Sequence, residues 1–338
     1  MSELYQTALK IVSNGKGILA ADESNPSMIK KFDTINVKSN PENRLNYREI
    51  LFSADGMKNY IGGVILFDET IKQITSSGTS IPDLIQNSGT IIGIKVDMGL
   101  KEHPDSSEEK VTEGLEGLKE RLEEYYKIGA RFTKWRALLN ISEKYPSEIA
   151  IQSNANTLAK YAALVQESNM VPIVEPEVLM DGDHDINKCY EITAKVLTAC
   201  YAELKSLNVD LKGTLLKPNM VLPGTNSQNR SSTEEIAKMT LKCLKENVPS
   251  EVPGIAFLSG GQSEIEATRN LNEINKINDT NFVFTFSYGR ALQQSALKYW
   301  GKNQEDITNT QNIFNHRAKM NSLSTSGRWT EDLDKIIN

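Results

Sequence analysis

The chain has 338 residues, of which 38 are basic and 44 acidic, giving a formal net charge of −6. At roughly 150 residues per domain this length suggests about two domains, yet a closed α/β barrel with insertions uses the same length as one unit. With 24% charged and 39% hydrophobic residues, the composition excludes a highly charged disordered chain, and the acidic balance argues against a nucleic-acid partner, which calls for a basic excess.

The chain opens MSELYQTALKIVSNGKG, mixing acid, base and amide with no apolar core before a small-residue cleavage site. A cytoplasmic protein is therefore expected. No apolar run approaches the ~20 residues of a membrane span, so no membrane partner is expected either. Cys189, Cys200 and Cys243 are widely spaced on helix-like segments and read as packed, reduced thiols. Three scattered histidines, His103, His184 and His316, form no HxxxH pair, so a histidine-rich metal site is not expected.

In chain order, eight short runs rich in branched and aromatic residues are bounded by glycine, proline or charge, as buried strands are. They are 18–21 (ILAA), 64–67 (VILF), 91–96 (IIGIKV), 132–136 (FTKWR), 171–174 (VPIV), 214–216 (TLL), 255–258 (IAFL) and 282–286 (FVFTF). Helical patterns lie between them. Val111, Leu115, Leu118, Leu122 and Tyr125 step by four and three along one face, with Ser106 and Glu109 as a capping-box signature upstream. Ile236, Met239, Cys243 and Leu244 repeat the pattern after Ser232 and Glu235. Strands alternating with helices call for a parallel sheet, and eight such units close a (β/α)8 TIM barrel. A doubly wound open sheet is the competing architecture, but no GxGxxG follows the first run.

In a barrel the reactive groups sit at the carboxyl ends of the strands. The polar residues there are Asp22, Asp68, Lys95 with Asp97, Lys134 with Arg136, Glu175 with Glu177, Lys217, Ser259, and Ser287 with Arg290. Each alone could simply cap a strand; as a set they need one another or a ligand, because buried charge is costly unpaired. Lys217, in GTLLKPNM, points into a water-poor interior, where burial and the charges of Lys134 and Arg136 would favour a neutral amine able to attack a ketone. The plain alternative is a lysine reaching the rim. Glu175 and Glu177 alternate onto one side of their strand, so their environments can separate a proton donor from an ionised carboxylate, or they can serve only to neutralise Lys134 and Lys217.

The seventh run leads into Ser259-Gly260-Gly261-Gln262-Ser263 and the eighth into Ser287-Tyr288-Gly289-Arg290. Glycine amides approach an anion closely, and Ser263 with Glu266 caps a helix whose positive end faces the loop. A phosphate fits these last two loops, where barrels habitually bind it; a ligand-free tight turn is the alternative. On the opposite part of the rim, Ser24, Ser27, Lys30, Lys31 and the later Arg44 could hold a second phosphate or form a solvated helix face.

The segments ILAADES, GGVILF, GIKVD, KWR, VPIVEPEVLMDGDHD, GTLLKPNMV, FLSGGQSE and TFSYGRALQ, from about Lys16 to Trp300, resemble the metal-independent class I fructose-bisphosphate aldolases. The resemblance implies one TIM-barrel domain over 1–338 with a C-terminal tail from about 301–338. It also implies reversible cleavage of fructose 1,6-bisphosphate to dihydroxyacetone phosphate and glyceraldehyde 3-phosphate through a lysine Schiff base, with neither a metal nor another cofactor, in a homotetramer whose partners are sugar phosphates. Lys217 resembles the Schiff-base lysine and Glu175 the proton shuttle, with Glu177, Lys134 and Asp22 as supporting charges. Ser259, Gly260, Gly261, Ser287, Gly289 and Arg290 would hold the phosphate near the ketone. Ser24, Ser27, Lys31, Arg44, Lys95 and Arg136 would hold or orient the far end.

Two features depart from the family pattern. The last tyrosine is Tyr299, whereas many members end in one, and Lys31 stands where the family usually has arginine. Lysine lacks the planar two-pronged contact with phosphate. A Schiff-base aldolase or transaldolase acting on a monophosphorylated sugar, and a non-catalytic barrel scaffold, are the rival readings.

Overall fold

The computed structural model describes residues 2–335. Eight parallel strands close into a barrel: β1 (Gly17–Ala21), β2 (Ile61–Leu66), β3 (Ile91–Lys95), β6 (Phe132–Leu139), β7 (Val171–Val178), β8 (Leu215–Leu216), β9 (Gly254–Phe257) and β10 (Val283–Tyr288). Around the ring they run β1-β10-β9-β8-β7-β6-β3-β2. The two remaining strands, β4 (Leu100–His103) and β5 (Ser106–Thr112), form an antiparallel hairpin outside the barrel.

Period-two alternation sorts each barrel strand into an inner and an outer face. Ile18, Ala20, Ile65, Phe132, Val171, Ile173, Leu215 and Ala256 share one inner core, whereas Leu19, Val64, Trp135 and Val174 pack outward against the helices. The inner core is closed at the amino ends of the strands by the helix Glu3–Val12, whose Ala8, Ile11 and Val12 join it. That closure explains a glycine. A Cβ at Gly62 would stand 1.9 Å from the Ile11 carbonyl oxygen, so only a bare backbone lets the helix seat.

Each of the eight predicted runs falls on a barrel strand, but their limits move. The second begins at Ile61 rather than Val64, because Gly62 and Gly63 are part of the strand and not its boundary. The strands β6 and β7 continue to Leu139 and Val178, past the charged residues that bound the apolar runs. Those side chains alternate inward, and the ladder continues beneath them with Arg136 paired to Glu175 and Leu138 to Glu177.

One predicted helix is wrong at its start. Residues 106–112 form the strand β5, with Val111 opposite Lys101, and helix begins only at Leu118. Glu109 does cap a helix, but a distant one: its carboxylate accepts from the Ser147 amide at 2.8 Å and hydroxyl at 2.6 Å, where the helix Glu148–Glu167 begins. Beyond Trp300 the chain forms the helix Ile307–Ser324, which buries Phe314 and Ala318 in the outer core. Among the described residues, no helix is long and apolar enough to cross a membrane.

Candidate active site

A cavity of about 810 Å³ opens at the carboxyl ends of the strands. Its floor is built by the next inward positions of the alternation: Ala20 is followed by Asp22, Phe132 by Lys134 and Arg136, Ile173 by Glu175 and Glu177, and Leu215 by Lys217. The apolar inner layer below therefore excludes water from beneath a charged layer above. Lys134, Glu175, Glu177 and Lys217 are all buried.

These charges alternate in sign. Lys217 Nζ lies 2.9 Å from Glu175 Oε1, and Glu175 Oε2 lies 3.2 Å from Lys134 Nζ. Lys134 in turn sits 2.8 Å from Asp22 Oδ2 and 3.9 Å from Asp97 Oδ2. Asp97 Oδ1 meets Lys95 Nζ at 2.7 Å, while Arg136 Nε donates to Glu177. The sequence suggests cations around Lys217; the structure instead puts a carboxylate at its amine and pairs Lys134 and Arg136 with carboxylates of their own. Buried charge forces this arrangement, since each unpaired ion would cost several kcal/mol, roughly, in desolvation.

Environment separates the two glutamates of β7. Burial pushes Glu175 up, but the charges of Lys134, Lys217 and Arg136 outweigh it and hold the carboxyl below its usual range. For Glu177 burial wins over the pairing with Arg136, and the nearby Glu175 charge adds to it, so its carboxyl is raised. Asp22 is also pushed up by burial, yet Lys134, Lys217 and Lys95 bring it down to about 2. Lys134, despite burial, is raised by Asp22, Glu175 and Asp97. Glu175 and Asp22 are thus held ionised by the surrounding cations, while burial raises the Glu177 carboxyl beside Arg136.

Two strand ends supply donors at the rim. After β9, Ser259 and Gly260 line the cavity; after β10, Ser287, Gly289 and Arg290 do. Gly260 and Gly261 have φ of +31° and +76°, a left-handed turn that L side chains resist. The Ser287 hydroxyl is buried with no hydrogen-bond partner among the described residues, a donor in want of an acceptor. The predicted capping box is present: the Ser263 amide donates to Glu266 Oε2 at 2.9 Å and the Glu266 amide to Ser263 Oγ at 3.2 Å.

The cavity brings together Asp22, Ser24, Ser27, Lys31, Lys95, Lys134, Arg136, Glu175, Glu177, Lys217, Ser259, Gly260, Ser287, Gly289 and Arg290. Gly261 faces an adjoining recess behind the same loop. Arg44 is not among the lining residues: Glu69 holds its guanidinium in a two-pronged pair at 2.7 and 2.5 Å. Asp68 is also outside, because β2 ends at Leu66 and Asp68 starts a short helix, accepting from the Tyr125 hydroxyl at 2.8 Å. Nor is the loop carrying Ser24 and Ser27 opposite the glycine loops. Its parent strand β1 is the neighbour of β10, and the cations across the ring from β9 and β10 are Lys95 on β3 and Arg136 on β6.

Lys31 does reach the cavity, but Glu23 Oε1 at 2.5 Å and Gln293 Oε1 at 2.9 Å engage it. Gln294, Leu297 and Lys298 also line the cavity, though the sequence motifs do not single them out. Their spacing from Arg290 along the helix Arg290–Lys302 is four, seven and eight residues, one helical face, so periodicity read from Arg290 finds them.

The class-I fructose-bisphosphate aldolase family model matches residues 3–337. The chain is 50% identical over 331 residues to the cytosolic fructose-bisphosphate aldolase 4 of Arabidopsis thaliana, covering 98% of this chain and 84% of that protein. It is 47% identical to a probable class 1 fructose-bisphosphate aldolase of Xanthomonas campestris, covering 97% and 99% of the two. Its structure is similar to fructose-bisphosphate aldolase from Plasmodium falciparum, solved with TRAP and a small-molecule inhibitor, with a TM-score of 0.95, 45% identity, and 97% and 95% of the chains covered.

Proposed function

The chain belongs to the class I fructose-bisphosphate aldolase family, and from that premise we propose which of its residues carry the reaction. The enzyme reversibly cleaves fructose 1,6-bisphosphate to dihydroxyacetone phosphate and glyceraldehyde 3-phosphate through a lysine Schiff base, as a glycolytic lyase. The observation that carries the assignment is the buried contact of 2.9 Å between Lys217 Nζ and Glu175 Oε1 on the cavity floor.

A protonated amine cannot attack a carbonyl, so its proton must first leave, and an ionised carboxylate within hydrogen-bond reach receives it. Lys217 then adds to the ketone carbon, and Glu175 returns the proton to the departing hydroxyl, which leaves as water from the carbinolamine. The resulting iminium draws electrons from the adjacent carbon–carbon bond. When the carboxylate of Glu175, ionised again after the loss of water, takes the proton of the hydroxyl on the carbon beta to the iminium, the bond between the alpha and beta carbons opens, releasing an aldehyde and leaving an enamine on Lys217. A proton added at carbon and hydrolysis by one water then release dihydroxyacetone phosphate and free the lysine. Lys134 and Asp22 hold Glu175 and Lys217 in an ionic frame, and Glu177, with its raised carboxyl, keeps Arg136 in place.

Ser259, Gly260, Ser287, Gly289 and Arg290 are assigned to the phosphate near the ketone, with Gly261 behind the loop. Lys95 and Arg136, across the ring from these loops, are assigned to the far phosphate, with Ser24, Ser27 and Lys31 reaching it from the loop after β1. Preorganised donors in a water-poor site act strongly on an anion. We further propose a homotetramer acting in the cytoplasm; relatives named cytosolic and cytoplasmic support the location.

Lys217→Met keeps the stem and removes the amine. Cleavage of fructose 1,6-bisphosphate should vanish while the melting temperature stays within a few degrees. Glu175→Gln should lower kcat by about 10²–10⁴, the usual worth of a positioned acid–base group. Substantial turnover in Lys217→Met, measured by coupled assay of the aldehyde product, would overturn the assignment.

A further inference from the structure

The loop assigned above to the ketone-side phosphate must hold a left-handed turn open while empty, and one buried residue, through its side chain and its backbone, makes the bonds that do so. Gln262 is buried just behind that turn. Its Nε2 donates to the Ser259 carbonyl at 2.9 Å, and its own amide donates to the same oxygen at 3.0 Å, so both ends of the turn are tied across Gly260 and Gly261. Its Oε1 accepts from Asn270 Nδ2 at 2.7 Å. Asn270 is buried on the helix Glu264–Lys276, so the turn is anchored two helical turns into a rigid element. Finally, the Gln262 carbonyl accepts from Arg290 Nη2 at 3.1 Å, which links the loop after β9 to the cation after β10.

We propose that Gln262, held by Asn270, is a positioning residue that sets the distance between the Ser259–Gly261 turn and Arg290 and thereby preforms the ketone-side phosphate site. The inference rests on the phosphate assignment given above. The physical reason is preorganisation: without the side-chain tie the glycine turn has more conformations to lose on binding, and the backbone carbonyl that meets Arg290 shifts with it. Asn270 also fixes which way the Gln262 amide faces, because its Nδ2 must meet an oxygen. An aspartate there would invite the amide to turn over, and the Ser259 carbonyl would then face Oε1 instead of a donor.

The test compares two ketones that differ only in phosphate. Dihydroxyacetone phosphate and dihydroxyacetone are trapped on the intact enzyme by borohydride, and the half-saturating concentration of each is read from inactivation rates. Gln262→Met replaces the amide with an apolar chain of similar length beside Met220, whose sulfur the amide already approaches at 3.7 Å. Asn270→Asp serves as a second variant acting through the amide's orientation. Both should raise the half-saturating concentration of dihydroxyacetone phosphate, and the KM for fructose 1,6-bisphosphate, about five- to fiftyfold, with kcat within about threefold and dihydroxyacetone unchanged.

A folded variant whose dihydroxyacetone phosphate value does not move, or whose two ketones shift together, overturns the proposal. Arg290→Ala separates the two levels of the argument. If it weakens only the phosphorylated ketone while the Gln262 and Asn270 variants do not, the positioning role fails and the phosphate assignment stands. If Arg290→Ala also fails to discriminate between the ketones, the phosphate assignment itself falls.

Discussion

Asp22 shows how one inward position carries a charge to the cavity floor and pairs it there with Lys134. It stands one alternation step above Ala20, where the strand leaves the apolar inner layer, and its carboxyl is held at about 2 against an ordinary 3.8 because Lys134, Lys217 and Lys95 outweigh burial. A depressed folded value means that the stabilisation is present above the unfolded value and lost as pH falls through the folded one. The advantage of the wild type over Asp22→Asn in unfolding free energy should therefore be constant above about pH 5 and shrink by about 2 kcal/mol as the pH approaches 2, since a tenfold difference in proton affinity between the folded and unfolded chains is worth about 1.4 kcal/mol. Denaturant titrations at several pH values measure it; an advantage that grows toward acid would contradict the pairing. At this scale the sequence reveals which residue types face inward, but not their partners. Glu69 lies next to Asp68 in the chain, yet only the fold brings it to Arg44 and draws that arginine away from the cavity.

Strands and helices are legible where one period dominates a segment. The eight barrel runs are dense in branched residues and flanked by breakers, so each stands out; their ends are misplaced where inward charge or a packing glycine mimics a boundary. The β4–β5 hairpin escapes the pattern because Val111 happens to stand four residues before Leu115 and so extends the genuine helical face of Leu118, Leu122 and Tyr125. Strand packing also gives a clear energetic expectation. Phe132 is fully buried in the inner core, and a Cβ on Gly63 or Gly93 would meet its ring at 3.0 or 2.2 Å, so both neighbours are glycine to make room for it. Phe132→Ala should destabilise the protein by about 3–5 kcal/mol, the usual cost of emptying such a site. Equilibrium unfolding measures this, and a loss below about 1 kcal/mol would mean that the barrel interior collapses around the void.

For the molecule as a whole, closure at one end and charge at the other form a single arrangement. The helix Glu3–Val12 seals the amino ends of the strands, the inner layer is apolar, and the ionic ring lies above it under an open cavity. The chain carries a net charge of −6, yet eight basic and five acidic side chains line that cavity, so a doubly phosphorylated sugar meets a locally positive field in a molecule that repels it overall. Closure of eight consecutive βα units itself seats the first strand beside the last, so the loop after β1, expected opposite the glycine loops, instead borders the loop after β10.

The central claim is that Lys217 forms the covalent link to the ketone. Borohydride reduction in the presence of dihydroxyacetone phosphate, followed by peptide mass mapping, tests it most directly. One reduced adduct per chain is expected, on Lys217, and none in Lys217→Met. An adduct on Lys134 or Lys95 instead, or full activity after reduction with no adduct at all, would contradict it.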